Sequence, residues 1–335
     1  MGEETEFRFT RRRPRQPEFL GNYLPNRVLW SLFDCLVKGC IAMEYPPRMT
    51  EAGTWAASGG DFGHPFSETI PPQDAQGNDP PGTGMVHFDI DPGNVFVGGF
   101  QYGVRAALIQ NDPDGHREVP IFKLGDFGTS HDVTPANLID EAFIWRRRHV
   151  FKNGFATPEQ FTREWDYLTS TPAEYTHRTH IPVTIAGRYG PKTNIFQIAM
   201  IMYEAITLTR APQQPLATVI PGQPRRVTYG GHLDHPDYAL VDPALRDLVK
   251  ECLYECPDHR PSLRELQTAI NIVLNGPMPE GNNTMPILDW WAMVVGDPPE
   301  MKTPYVRYVN DLDTWIQQGF PMAQNQIPRL HRNIY

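Results

Sequence analysis

A chain of 335 residues, 40% hydrophobic and 21% charged, has the make-up of an ordinary globule with room for one large domain or two modest ones. Its net charge of −9 excludes the basic footprint of a nucleic-acid binder, and four cysteines in this length make no disulfide framework. No apolar run reaches the roughly 18 residues that span a bilayer, and the start, Met1-Gly2-Glu3-Glu4, lacks a signal-peptide core. The expectation is an intracellular protein, of cytoplasm or nucleus, with neither nucleic acid nor membrane as partner.

In chain order, residues 1–23 are polar and rich in Arg and Pro, which predicts a disordered lead-in. From Asn26 to Met43 apolar residues recur at helical spacing (Val28-Leu29, Leu32-Phe33, Leu36-Val37, Ile41), with Pro25 suited to the first turn and Pro46-Pro47 to the end. The stretch 46–84 is rich in Pro, Gly, Asp and Ser without period, a long mobile loop in which Asp61-Phe62-Gly63 is one more loop segment. A loop from Met85 leads into a short strand, Val95-Phe96-Val97. The connection 98–119, turning at Asn111 to Gly115, leads to a returning strand at Pro120 to Leu124. Residues 162–190 read mostly as insertion. Helices are predicted at about 194–208, 242–256 and 262–274. A Pro-rich tail, 276–335, carries apolar clusters at Ile287-Leu288-Trp290-Trp291 and Leu312-Trp315-Ile316. The triplets Arg11-Arg12-Arg13 and Arg146-Arg147-Arg148 read as solvated faces. Cys35, Cys40, Cys252 and Cys256 lack the close Cys-x-x-Cys pairs of zinc sites and read as reduced thiols.

Two short strings carry chemistry: His87-Phe88-Asp89-Ile90-Asp91-Pro92-Gly93-Asn94 and, after the returning strand, Asp126-Phe127-Gly128. They put a carboxylate, an amide and a second carboxylate on neighbouring loops, a set able to hold a hydroxyl nucleophile and Mg²⁺ against a triphosphate. The strings resemble the catalytic and metal-binding loops of the eukaryotic protein kinases, H-R-D-x-x-x-x-N and D-F-G. Ala156-Thr157-Pro158-Glu159 is similar to that family's A-P-E. The run Asn194 to Thr207 resembles its long buried helix, and Leu245 to Ala269, with Arg260-Pro261-Ser262, its closing helices.

The resemblance implies a mainly α fold with a small β element: a protein-kinase-like C-terminal lobe over 24–275 with long loop insertions at about 46–84, 98–119 and 162–190. The N-terminal lobe is missing from the pattern. No G-x-G-x-x-G precedes His87, and the one lysine before it, Lys38, falls in a helix. Carried over residue by residue, Asp89 is the catalytic residue that accepts a substrate hydroxyl proton. Asn94 and Asp126 bind Mg²⁺ and, through it, ATP, the two cofactors expected. His87 is structural, and Glu159 with Arg260 forms a buried ion pair. The implied partners are ATP and a protein substrate or protein partner, and the implied activity is serine/threonine protein kinase.

Three departures bear on activity. Phe88 stands where the pattern has an arginine that reads a phosphorylated activation loop. Asp91 replaces a lysine many serine/threonine members place near the γ-phosphate, and Asn194 replaces the aspartate at the start of the long helix. With the missing lobe, these keep an alternative open: a pseudokinase or protein-binding scaffold without turnover. The surface near Val95 and Phe127 is expected to expose apolar area.

Overall fold

The computed structural model describes residues 24–46, 68, 70–98, 116, 119–152, 154–167, 184–209 and 216–277. The lead-in, Asp61-Phe62-Gly63, the turn at 111–115, most of the 98–119 and 168–183 stretches and the tail clusters lie outside those residues. What is described is mostly helical with a few short strands.

Helix α1, Asn26–Glu44, is buried along nearly its whole length. Its apolar residues go all round rather than in one stripe, as befits a helix at the centre of a core. Gly39 gives it a close approach to the strand beyond: a Cβ there would lie 2.8 Å from Leu124 Cδ1. Lys38, half inside the structure, pairs with Asp34 at 2.9 Å on the same helix face. At the C-terminus Thr83 ties back to α1, its N–H donating to Glu44 O and its hydroxyl to Met43 O.

The second core helix, α5, Pro191–Thr207, is likewise buried on all sides and packs on α1. Pro191 at its first position needs no N–H partner, so the helix begins three residues before Asn194. Two further helices close the core: α6, Pro243–Cys252, and α7, Leu263–Leu274. Both are amphipathic and properly capped, by Asp242 Oδ1 on Ala244 N–H and by Ser262 Oγ on Glu265 N–H. The first stops at Cys252, not near 256, because Tyr254 leaves the helix to bridge Thr228.

Among the described residues the strands form three two-stranded antiparallel ribbons. β1, Met85–Val86, pairs with β4, His131–Asp132, and β2, Val95–Val97, with β3, Phe122–Leu124. The third, β5 Thr218–Ile220 with β6 Gln223–Thr228, turns at Pro221-Gly222, where Gly222 takes φ +76°. Three short helices sit between the ribbons and α5: α2 Pro135–Ile139, α3 Glu141–Arg147 and α4 Pro158–Phe161.

Two expectations need correcting. The arginines at 146–148 do not form one solvated face. Arg147 lies 5.0 Å over the Phe88 ring and donates to Thr129 O, while Arg148 stacks 4.8 Å over Trp165 and donates to Gln160 O. Only Arg146 points outward, because planar guanidinium ions cover aromatic faces well. The described ends of the 162–190 stretch also belong to the core: Trp165, Ala186 and Tyr189 are buried beside Phe88 and Phe143. Cys35, Cys40 and Cys252 are free and buried, and burial pushes the Cys35 thiol up to about 12.

Candidate active site

The ribbons explain why two loops far apart in sequence meet. β1 leads into the loop of Asp89 and Asn94, which runs out along β2; β3 leads into the loop of Asp126, which runs out along β4. Because β1 pairs with β4 and β2 with β3, both ends of each loop are fastened to both ends of the other. Three hydrogen bonds cross between them. Gly125 N–H donates to Asn94 O at 3.0 Å, the His87 ring to Gly125 O at 3.1 Å, and Thr129 Oγ to His87 O at 2.8 Å.

His87 is a strut in this frame. Its Nδ1 accepts from Asp89 N–H, which leaves Nε2 as the donor to Gly125 O. Burial pushes its pKa below the ordinary value, so the neutral ring this pattern requires is favoured. Asn194 supplies the second brace. Its Oδ1 accepts from His87 N–H at 2.9 Å and its Nδ2 donates to Met85 O at 2.8 Å. An aspartate could accept but not donate here. Asn194 thus grips the entry of the loop at two points from inside α5 and is not the helix cap.

Phe88, the residue between, takes φ 66° and is wholly buried, its ring 5.2 Å from Tyr189. The turn it makes separates the strut from Asp89. The Asp89 carboxyl is half-buried and accepts from Asn94 Nδ2 at 3.2 Å; the same amide donates to Asp89 O at 2.7 Å and reaches Asp91 Oδ2 at 3.3 Å. Asn94 Oδ1 is the atom these contacts leave over. Partial burial, aided by the charge of Asp91, raises the Asp89 pKa above the ordinary carboxylate value, against the opposing pull of Lys152 and Asn94.

Asp126 caps a short 3-10 turn, Phe127–Thr129, from a left-handed conformation with φ 59°. Its side chain is exposed, as is Phe127, whose ring lies 4.9 Å from that of His87. Oxygens of Asn94 and Asp126 suit a hard cation such as Mg²⁺ better than a soft one. Among the described residues no group of three or more His, Cys, Asp or Glu could hold a metal by itself. A cation on Asn94 and Asp126 would therefore draw further oxygens from a ligand, as Mg²⁺ does with phosphates.

Sequence reasoning missed one charged neighbour. Asp91 is nearly buried, caps the 3-10 turn Pro92–Asn94 by accepting from Gly93 N–H, and meets Lys152 Nζ at 2.6 Å. The loop position is acidic, as the sequence says, but it is not an unopposed negative charge. The signal that could have found Lys152 is physical: a buried carboxylate must have a cation or donors.

The apolar surface beside the site is present but differently composed. Phe96 is 47% exposed and Phe127 48%, whereas Val95 is buried. Along this strand only Val95 is buried, while Phe96 and Val97 are both exposed. Behind the site, Glu159 and Arg260 pair bidentately at 2.7 and 2.9 Å with both side chains fully buried. Thr193 Oγ donates to the same carboxylate, and Arg260 also donates to the carbonyls of Tyr254, Lys192 and Glu255.

Among the described residues no helix is long and apolar enough to cross a membrane. No protein-family model matches the chain, and no curated protein does. Among solved structures it is similar to a chain of the yeast RNA Pol II CTD kinase CTDK-1 complex, at 10% identity and a TM-score of 0.39. The match covers 77% of this chain and 66% of that one, just under two thirds of its length.

Proposed function

We propose that the chain binds a magnesium-complexed nucleoside triphosphate on its paired loops and transfers the terminal phosphoryl group to a protein hydroxyl, as a serine/threonine kinase of the family its motifs resemble. The observation that supports this best is the contact of Asn94 with both the main chain and the carboxylate of Asp89, on a loop cross-linked to that of Asp126. Bound there, Mg²⁺ would neutralise charge on the terminal phosphates and hold them in line.

The residues then divide the work. Asp89 orients the acceptor hydroxyl and takes its proton as that oxygen bonds to the terminal phosphorus and the bond to the bridging oxygen of ADP breaks. Asn94 Oδ1 and the Asp126 carboxylate hold the cation, while His87, Asn194 and Thr129 keep the loops in register. The buried Glu159–Arg260 pair fixes the segment after Asp126 to the α7 end of the core.

The test is Mg²⁺-dependent transfer of labelled terminal phosphate to a serine/threonine peptide library. Asp89→Asn should lower the rate by about 10²-fold or more. Labelled tyrosine, or a rate indifferent to Asp89→Asn, contradicts the assignment. A second reading, a partner-binding pseudokinase, draws support from the exposed Phe96 and Phe127 beside Asp126. It predicts Mg–ATP binding or partner binding with no transfer.

A further inference from the structure

Phosphoryl transfer concentrates negative charge between Asp89 and Asp126, and the loop itself brings only more of it in Asp91. Among the described residues, Lys152, from the segment that follows the Asp126 loop, brings a positive charge to all three. Its Nζ is 2.6 Å from Asp91 Oδ2, and it feels the charges of Asp89 and Asp126. The two ends of this ion pair differ. The Asp91 side chain is only 7% exposed and accepts from Gly93 N–H and the Asn94 amide as well, so its position is fixed. Lys152 is 51% exposed. An ammonium has three N–H donors, and the bond to Asp91 uses one, leaving donors on a half-exposed group next to Asp89.

We propose that Lys152, held by Asp91, donates to the terminal phosphoryl group of the bound nucleotide and supplies the positive charge that the Asp89 loop lacks. Asp91 is then the anchor of a cation delivered from another segment. The inference rests on the nucleotide-binding reading above. Its consequence is selective: a contact to the third phosphate strengthens Mg–ATP and leaves Mg–ADP alone, whereas an ion pair that merely braces two loops affects both alike.

The experiment measures dissociation constants of Mg–ATP and Mg–ADP for the full chain, its Lys152→Met and Lys152→Arg variants, and the Asp91→Asn/Lys152→Met double variant, with Asp126→Ala alongside. Lys152→Met should weaken Mg–ATP about tenfold or more relative to Mg–ADP, the effect of losing one close charge contact. The double variant should lose the same preference although no unpaired Asp91 remains, and Lys152→Arg should retain most of it. An unchanged ATP/ADP ratio in both Met variants overturns the proposal, and so does recovery of the ratio in the double variant. If the wild type binds neither nucleotide, or Asp126→Ala binds both as well as wild type, the nucleotide reading itself fails and takes this inference with it. If wild type binds and Asp126→Ala does not, while the Met variants keep the ratio, only the role of Lys152 is refuted.

Discussion

Asp89 and Asn94 show how a few atoms prepare a reactive position. The Asn94 amide spends its two N–H groups on the Asp89 loop, so the carboxylate is oriented by a neutral donor, whose pull on the Asp89 pKa opposes the rise from burial. Burial first, then Asp91, lift the Asp89 pKa. As Asp89 must be ionised to accept a proton, activity should fall as pH drops through that raised value. The acid limb of kcat/KM against pH should therefore lie above the roughly 3.9 of an ordinary aspartate. With Lys152 already replaced by Met, neutralising Asp91 with Asp91→Asn should shift that limb toward acid by removing a like charge; a limb that stays put in that background would show that Asp91 does not reach Asp89 electrostatically. Phe88 and Asp126 hold left-handed backbone at φ 66° and 59°, a strain of order 1 kcal/mol each that persists because the loops are fastened at both ends.

Single elements carry separable contributions. The Ser262–Glu265 capping box opens α7, with Ser262 N–H donating to Glu265 Oε at 2.6 Å. Ser262→Ala should destabilise by about 1 kcal/mol in urea titration, and Ser262→Asp by less. Glu164 gathers the backbone N–H groups of Thr184, Ile185 and Ala186 and the Thr184 hydroxyl around one carboxylate. Its partial burial works against ionisation, but those donors prevail and lower its pKa. A carboxylate with a depressed folded pKa adds stability that is present above its unfolded pKa and fades as pH falls through the folded one. Glu164→Gln should remove that contribution, so the difference in melting temperature from wild type should be present at pH 7 and shrink toward pH 3; a constant difference would contradict it.

Elements with strong periodicity were legible in the sequence: α1, α5, α6 and α7, and the strands β2 and β3. So was the pairing of Glu159 with Arg260, through the motif resemblance. The β5–β6 ribbon was not read, although Pro221-Gly222 lies between β-branched residues, because Val219 and Leu216 stay exposed and no alternation marks a buried face. Nor were α2 and α3, each under eight residues. Their caps, Thr134 and Asp140, with Pro135 at the first position of α2, are start signals, but helices that short carry no apolar period to confirm them. Lys152 escaped because ion pairing across 61 positions leaves no periodic trace.

At the scale of the whole molecule, one buried ion pair links segments 101 residues apart and joins the chain after the Asp126 loop to the closing helix. Removing either partner strands the other charge in a dry interior, so Glu159→Ala and Arg260→Ala should each cost about 3–5 kcal/mol. Removing both should cost clearly less than the sum, since neither charge is then left alone. Additive losses in denaturant unfolding would mean that the pair is not coupled. The central claim concerns the two facing loops, and thermal unfolding of the full chain titrated with Mg–ATP, against Asp126→Ala, tests it most directly. A ligand of the folded state at about 100 times its Kd adds about 2.7 kcal/mol. A Mg²⁺-dependent rise in melting temperature that Asp126→Ala abolishes is the result predicted; a well-folded wild type whose melting temperature ignores Mg–ATP would contradict it.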